Sequence, residues 1–346
     1  MPDLASGAAI HFERNHGEFC SYNRFRTLGG TMNSRMFCAV LLLVTNVMTN
    51  AIAQGPAPKR PKITGIDHVD FYTTAPDANE HLYSVVLGLE SFPPVEAGQV
   101  RRFKVGSQWV GYRPAPDAKA ANRMNHVAFS TDDCEALRKY LAANGVKAPD
   151  SVGKLSEGRR SFMVNDPEGN TIEFLQPSGG KLMKIHAMGK AEPVVPDPVS
   201  RRLIHAGFIV HDRAAEDHFY KDILGFRPYW HGGMQPDRTD WVAIQVPDGA
   251  DWLEYMLNQP ANPDQRTTGV MNHISLGVKD MKAVQAKLES RGWKPSANEH
   301  SQMGKDGKWQ LNIYDPDLTR VELMEFTPAE KPCCSEFTGP HPSEDR

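Results

Sequence analysis

The chain has 346 residues, enough for two domains of ordinary size or four small repeats that share cores. Its 42 acidic and 39 basic residues nearly cancel, which gives no electrostatic footprint for a nucleic-acid partner. No run of about 20 apolar residues marks a membrane span.

Residues 1–31 carry no clear pattern and read as an extension upstream of a true start at Met32. From there "MNSRMFCAVLLLVTNVMTNAIAQ" has the form of a secretory signal over 32–53. Arg35 is its positive end, Phe37 to Val44 its apolar centre, and Ala51-Ile52-Ala53 a small-residue cleavage pattern. The expectation is a secreted or periplasmic protein, with 54–64 a proline-rich linker. Cys20 and Cys38 would leave with the signal. The remaining Cys134, Cys333 and Cys334 are an odd number and a poor disulfide framework. The adjacent pair could bind a soft metal or form bridges, but reads first as part of a C-terminal tail, 328–346.

Internal repetition organises the rest. "HLYSVVLGLES" from His81 matches "HFYKDILGFRP" from His218, and each predicts a helix ending at a left-handed glycine. An apolar strand precedes each ("ITGIDHVDFYTT", "RLIHAGFIVHD"), and strands containing "QWVGYRP" and "DWLEYMLNQP" follow. A second kind of unit opens with "MNHVAFST" from Met124 and again with "MNHISLGV" from Met271. Helical spacing follows in "DDCEALRKYLAANG" and "KDMKAVQAKLESRG". Each unit then closes with a strand, an Asp-Pro turn and a strand: "RRSFMVNDPEGNTIEFLQP" and "KWQLNIYDPDLTRVELMEF". The chain therefore reads as strand–helix–three strands, four times over. Two units fill 65–178, a linker 179–202 intervenes, and two more fill 203–327.

Strand alternation sets the recurring strand histidines and glutamates apart from the apolar residues around them. Glu173 opposes Ile172 and Phe174, and Glu322 opposes Val321 and Leu323. Likewise His205 opposes Ile204, Phe208 and Val210, and Glu254 opposes Leu253 and Tyr255. Each sits away from the apolar, helix-covered face. Glu254 follows His205 by 49 residues and Glu322 follows His273 by 49. Matching positions in the first pair are His68, His126 and Glu173, while the fourth falls at Gly111, which has no side chain to donate. A strand glutamate or histidine taken singly is more often structural. Seven of the eight register-matched positions carry a histidine or a glutamate.

The "LGF" helix ends and the "DPEGNTIEF" hairpin resemble the vicinal oxygen chelate superfamily, which includes glyoxalase I, bleomycin and fosfomycin resistance proteins, and type I extradiol dioxygenases. The resemblance covers about 65–327. It implies an α+β fold of four βαβββ modules in two pairs, each a curved mixed sheet around a concave metal site with helices outside. It also implies a small-molecule substrate and a divalent metal, Fe(II) first, with Zn, Ni or Mn as alternatives. His205, Glu254, His273 and Glu322 resemble the glyoxalase I ligand set. His68, His126 and Glu173 resemble the facial triad of non-haem Fe(II) oxygenases, with positions open for substrate and O₂. The four-unit layout is similar to that of the ring-cleaving dioxygenases, which is the first functional expectation. A glyoxalase-like lyase, isomerase or epimerase is the alternative, and a metal-free binding protein of the bleomycin-resistance kind the third. Trp109 and Arg113 flank Gly111, and Trp252 precedes Glu254 on its face. They are the candidate substrate contacts, the tryptophans for a flat substrate and Arg113 for a carboxylate. His300, His231 and Tyr314 are candidate acids or bases.

Overall fold

A computed structural model describes residues 58–95, 100–155, 158–177, 197–296 and 299–345. The expected upstream extension and signal over 1–53 lie outside these residues, as does most of the 179–202 linker.

The first eight-stranded sheet contains β1 (Ile63–Thr73), β2 (Glu90–Val95), β3 (Val100–Val105), β4 (Gln108–Pro114), β5 (Met124–Thr131), β6 (Gly153–Lys154), β7 (Arg160–Asn165) and β8 (Thr171–Gln176). Its order is β2-β3-β4-β1-β5-β8-β7-β6. The second repeats it with β9 (Arg202–Ile209), β10 (Arg227–Gly232), β11 (Trp241–Gln245), β12 (Trp252–Met256), β13 (His273–Val278), β14 (Gln302–Met303), β15 (Trp309–Tyr314) and β16 (Arg320–Glu325). Its order is β10-β11-β12-β9-β13-β16-β15-β14. Both sheets are mixed. The first and last strands of each module lie side by side in parallel, β1 with β4 and β5 with β8, because a helix crosses between them. The two modules of a pair join through antiparallel β1–β5 and β9–β13. This is the expected α+β arrangement of paired βαβββ modules.

The helices follow the sequence signals. In the first module α1 (Pro76–Glu80) runs on as a π-helical turn, His81–Val86, and Gly88 takes φ +67°. In the third, α3 (Arg213–Asp217) continues as His218–Ile223, and Gly225 takes φ +79°. The even modules use α2 (Cys134–Ala143) and α5 (Met281–Ser290), whose N-cap aspartates, Asp133 and Asp280, accept bonds from Ala136 N and Ala283 N. One difference separates the two "MNH" phrases. Met124 opens β5, whereas Met271 ends an additional helix, α4 (Gln265–Met271), and the strand begins at His273.

One apolar core spans both halves, from Ile66, Val69 and Phe71 to Leu203, Ala206 and Phe208. Gln108 fastens β1 to β9: its Nε2 donates to the carbonyls of Ile66 and Leu203, and its Oε1 accepts from Leu203 N. Each Asp-Pro turn docks into the other half. Tyr220 donates to Asp166 at 3.0 Å, and Tyr112 to Asp315 at 3.2 Å.

The tail packs against the second sheet. Trp230 Nε1 donates to the Cys333 carbonyl, Gln245 Nε2 to the Pro340 carbonyl, and Phe337 lies 4.9 Å from the Tyr229 ring. Cys333 and Cys334 are bonded to each other, leaving Cys134 a buried free thiol.

Candidate metal centres

In the second half, β9, β12, β13 and β16 bring His205, Glu254, His273 and Glu322 together. The two imidazole Nε2 atoms are 3.1 Å apart with rings edge to face. Glu322 Oε2 lies 3.2 Å from His205 Nε2, and Glu254 Oε2 lies 3.4 Å from His273 Nε2 and 3.8 Å from His205 Nε2. His205 and His273 are fully buried. His273 Nδ1 donates to the Met271 carbonyl, which fixes the tautomer and turns the Nε2 lone pair inward. Burial and the Arg320 guanidinium hold this ring down at about 4, so it is neutral at ordinary pH. Burial opposes charge on Glu322, but the facing His205 ring and the Arg320 charge outweigh it and lower the carboxyl to about 2.

In the first half His68 Nε2 and His126 Nε2 are 3.0 Å apart, and Glu173 Oε2 is 3.3 Å from each. Asp70 also belongs here: its carboxylate and the two rings offer ligand atoms all within 4.8 Å of one another. Burial disfavours charge on His68, yet hydrogen bonds to Asp67 and Glu173 prevail and raise it to about 10. Both donor sets, two imidazole nitrogens facing buried carboxylates, have the composition that suits a divalent cation. Glu322 Oε2 supports the fit: it is buried and has no hydrogen bond of good geometry.

The sequence expectation for the fourth position of the first site needs correction. Gly111 contributes nothing, and the Asp70 carboxylate occupies its place: a Cβ on Gly111 would overlap Asp70 Oδ1. Arg113, expected to meet a substrate, holds Asp70 Oδ2 at 2.9 Å. A second correction concerns faces. β9 carries a bulge at Ile204 and β1 one at Asp67, because the register to the partner strand slips there. Ile204 consequently joins Tyr229, Trp230, Trp252 and Met324 rather than the helix-covered core. At the equivalent bulge Asp67 Oδ1 meets His68 Nδ1 at 2.8 Å.

A cavity of about 350 Å³ opens over the second site, with Glu254 and Glu322 on its floor. Trp230, Trp241, Trp252, Met324 and the tail's Phe337 form apolar wall, and Arg320 and Asn312 are polar. Trp252 lines this cavity, with its ring 4.8 Å from that of His205. Trp109 has the matching register opposite His68 and packs against Phe92. His231 and His300 are exposed and do not line this cavity. Tyr314 is also absent from it and lies beneath the Arg266 guanidinium.

Arg320 was missed by sequence reasoning, although it shares the face of Glu322 two positions on. Its Nη2 donates to His273 Nε2 at 2.7 Å. Lys308 was missed too. It is fully buried, with Nζ 4.7 Å from the Trp252 ring centre and 5.0 Å from that of Phe337. No sequence signal marks it. Burial lowers it to about 8 against the pull of Asp306, Glu322 and Glu254.

The comparisons agree with this architecture. The 2,3-dioxygenase LapB from Pseudomonas sp. KL28 is 15% identical at TM-score 0.59, over 83% of this chain and 96% of its own. The Mn(II)-bound glyoxalase from Novosphingobium aromaticivorans is 18% identical at TM-score 0.56, over 77% and 83%. Homoprotocatechuate 2,3-dioxygenase from Brevibacterium fuscum, in complex with 3,4-dihydroxyphenylacetate, is 16% identical at TM-score 0.56, over 82% and 85%. At these identities the likeness is one of fold. No curated protein matches the chain in sequence. Family models described as glyoxalase/bleomycin resistance protein/dioxygenase superfamily match residues 65–174 and 204–311. With two such domains spanning most of its length, the chain belongs to the glyoxalase/bleomycin resistance protein/dioxygenase superfamily.

Proposed function

We propose that the chain is a divalent-metal enzyme that works on a small oxygen-chelating substrate in the cavity of the second domain, by Lewis-acid proton transfer of the lyase, isomerase or epimerase type. The observation that carries this reading is the convergence of His205, Glu254, His273 and Glu322, with Glu254 and Glu322 lining an aromatic-walled cavity and the two histidines buried beside them. A bound divalent cation supplies stabilisation for negative charge developing on substrate oxygens. Four protein donors on a roughly six-coordinate ion leave two positions, which suits a chelating substrate and leaves none for O₂. Among the carboxylates Glu254 is the more exposed, its side chain 14% accessible against 4% for Glu322, and so is the one placed to take a substrate proton. Trp252 holds the His205 ring by its face, and Arg320 places a fixed positive charge where a substrate oxyanion would lie.

Ring-cleaving dioxygenase chemistry is the second reading. The compact trio His205, His273 and Glu322 favours it, with ligand atoms within 4.8 Å of one another and Glu254 outside that trio. Metal analysis of anaerobically purified protein, with O₂ uptake on catechols, decides between them. Bound Zn²⁺, Ni²⁺ or Mn²⁺ without O₂ uptake supports the first reading; iron with O₂ uptake replaces it by the second. Tight ligand binding with no metal would point instead to a sequestering protein. Export directed by 32–53 is likewise a proposal, tested by whether the mature protein begins at Gln54.

A further inference from the structure

We propose that Asp70 is the fourth protein donor of the first-domain cation site, a carboxylate moved one strand sideways from the position that Glu254 holds in the second domain. The inference rests on the reading that both donor sets take a divalent cation.

The strand registers carry the argument. Asp70 on β1 pairs with Gly111 on one side and His126 on the other. Gly207 on β9 pairs with Glu254 on one side and His273 on the other. The two domains thus have the same three-residue row across the sheet, with glycine and carboxylate exchanged between its first two places. Gly111 makes room for the Asp70 carboxylate, and Gly207 for the His273 ring. A Cβ on Gly111 would overlap Asp70 Oδ1, and a Cβ on Gly207 would overlap the His273 ring. In the first domain the row has no room for a side chain at 111 beside the Asp70 carboxylate.

The carboxylate is also equipped as a donor. Asp70 is 2% exposed and its ligand atom lies within 4.8 Å of those of His68 and His126. Arg113 holds Oδ2 at 2.9 Å, in the manner of a partner that orients a ligating carboxylate from behind. With Glu173 the first site then holds two imidazoles and two carboxylates, the composition of the second. The glycine at 111 is no sign of a decayed site, because the charge it lacks is supplied by its neighbour.

The test is titration of the metal-stripped full chain with Zn²⁺, read as stoichiometry and affinity. Wild type should take two equivalents, and His126→Ala should lose the first-domain one. Asp70→Asn keeps the shape and an Arg113 contact but removes the charge; it should weaken that same equivalent at least about tenfold. The double variant Asp70→Gly/Gly111→Glu rebuilds the second-domain arrangement and should recover affinity. First-site affinity unchanged in a folded Asp70→Asn would overturn the role of Asp70 while leaving two-site binding intact. A wild type that takes a single equivalent, insensitive to His126→Ala, would overturn the first-domain site and this inference together.

Discussion

His68 Nδ1 lies 2.8 Å from Asp67 Oδ1, whereas the equivalent atom of His205 is buried with no hydrogen-bond partner, because the same β-bulge carries Ile204 in the second domain. Asp67 is itself anchored by Arg159 at 3.0 Å. Outer partners of this kind fix ring orientation and raise ligand basicity. Asp67→Ala should therefore weaken first-site metal binding by about 10–100-fold and leave the second site unchanged, as read by competitive Zn²⁺ titration. Equal weakening at both sites would show that Asp67 acts through general stability.

The same contrast sets different pH behaviour for the two sites. His68, raised to about 10, keeps a proton across the neutral range that a cation must displace. His273, held at about 4, has none to lose above that value. First-site affinity should fall more steeply than second-site affinity as pH drops from about 9 to about 6. Calorimetry in buffers of different ionisation heat should show roughly one more proton released by the first site than by the second at neutral pH.

Glu216 is fully buried where the Asp166 turn docks between the halves, and its Oε2 has no hydrogen-bond partner. Burial, with the charges of Asp166, Glu168 and Asp212, raises it from 4.5 to about 8. In that window the folded chain holds a proton that the unfolded chain has released, so stability falls as pH rises from about 4.5 to about 8 and levels off above. Asp166, raised to about 6, adds to the same slope. Glu216→Gln should flatten it and stabilise the protein by roughly 1–3 kcal/mol at pH 8. Urea midpoints at about pH 5 and pH 8 check this.

Phe337 closes the tail over the second-domain cavity and covers Lys308, whose ammonium sits among the Trp252, Phe337 and Tyr229 rings. Phe337→Ala should uncover the amine. With its proton held only to about 8, Lys308 should then react with acetic anhydride at least about tenfold faster, as measured by peptide mass spectrometry. Unchanged labelling would mean that the rest of the tail shields it.

The fourfold repeat, the helix stops at Gly88 and Gly225, and the ligand types at His68, His126, Glu173, His205, Glu254, His273 and Glu322 were legible in the sequence. These are local properties: a period-two pattern assigns a side chain to one face of its own strand, and a glycine with positive φ ends its own helix. What lies beside a residue on the neighbouring strand is not local. The bulges that turn Asp67 and Ile204 toward the sites depend on the slip of β1 against β5 and of β9 against β13. The exchange of carboxylate between Asp70 and the Gly111 position depends on lateral register between chain segments about 40 residues apart. The burial of Lys308 depends on a tail that returns from the end of the described chain to cover it. Sequence placed the candidate ligand types along their strands; long-range pairing chose their company, because strand register and segment docking are set by contacts that no window of sequence contains.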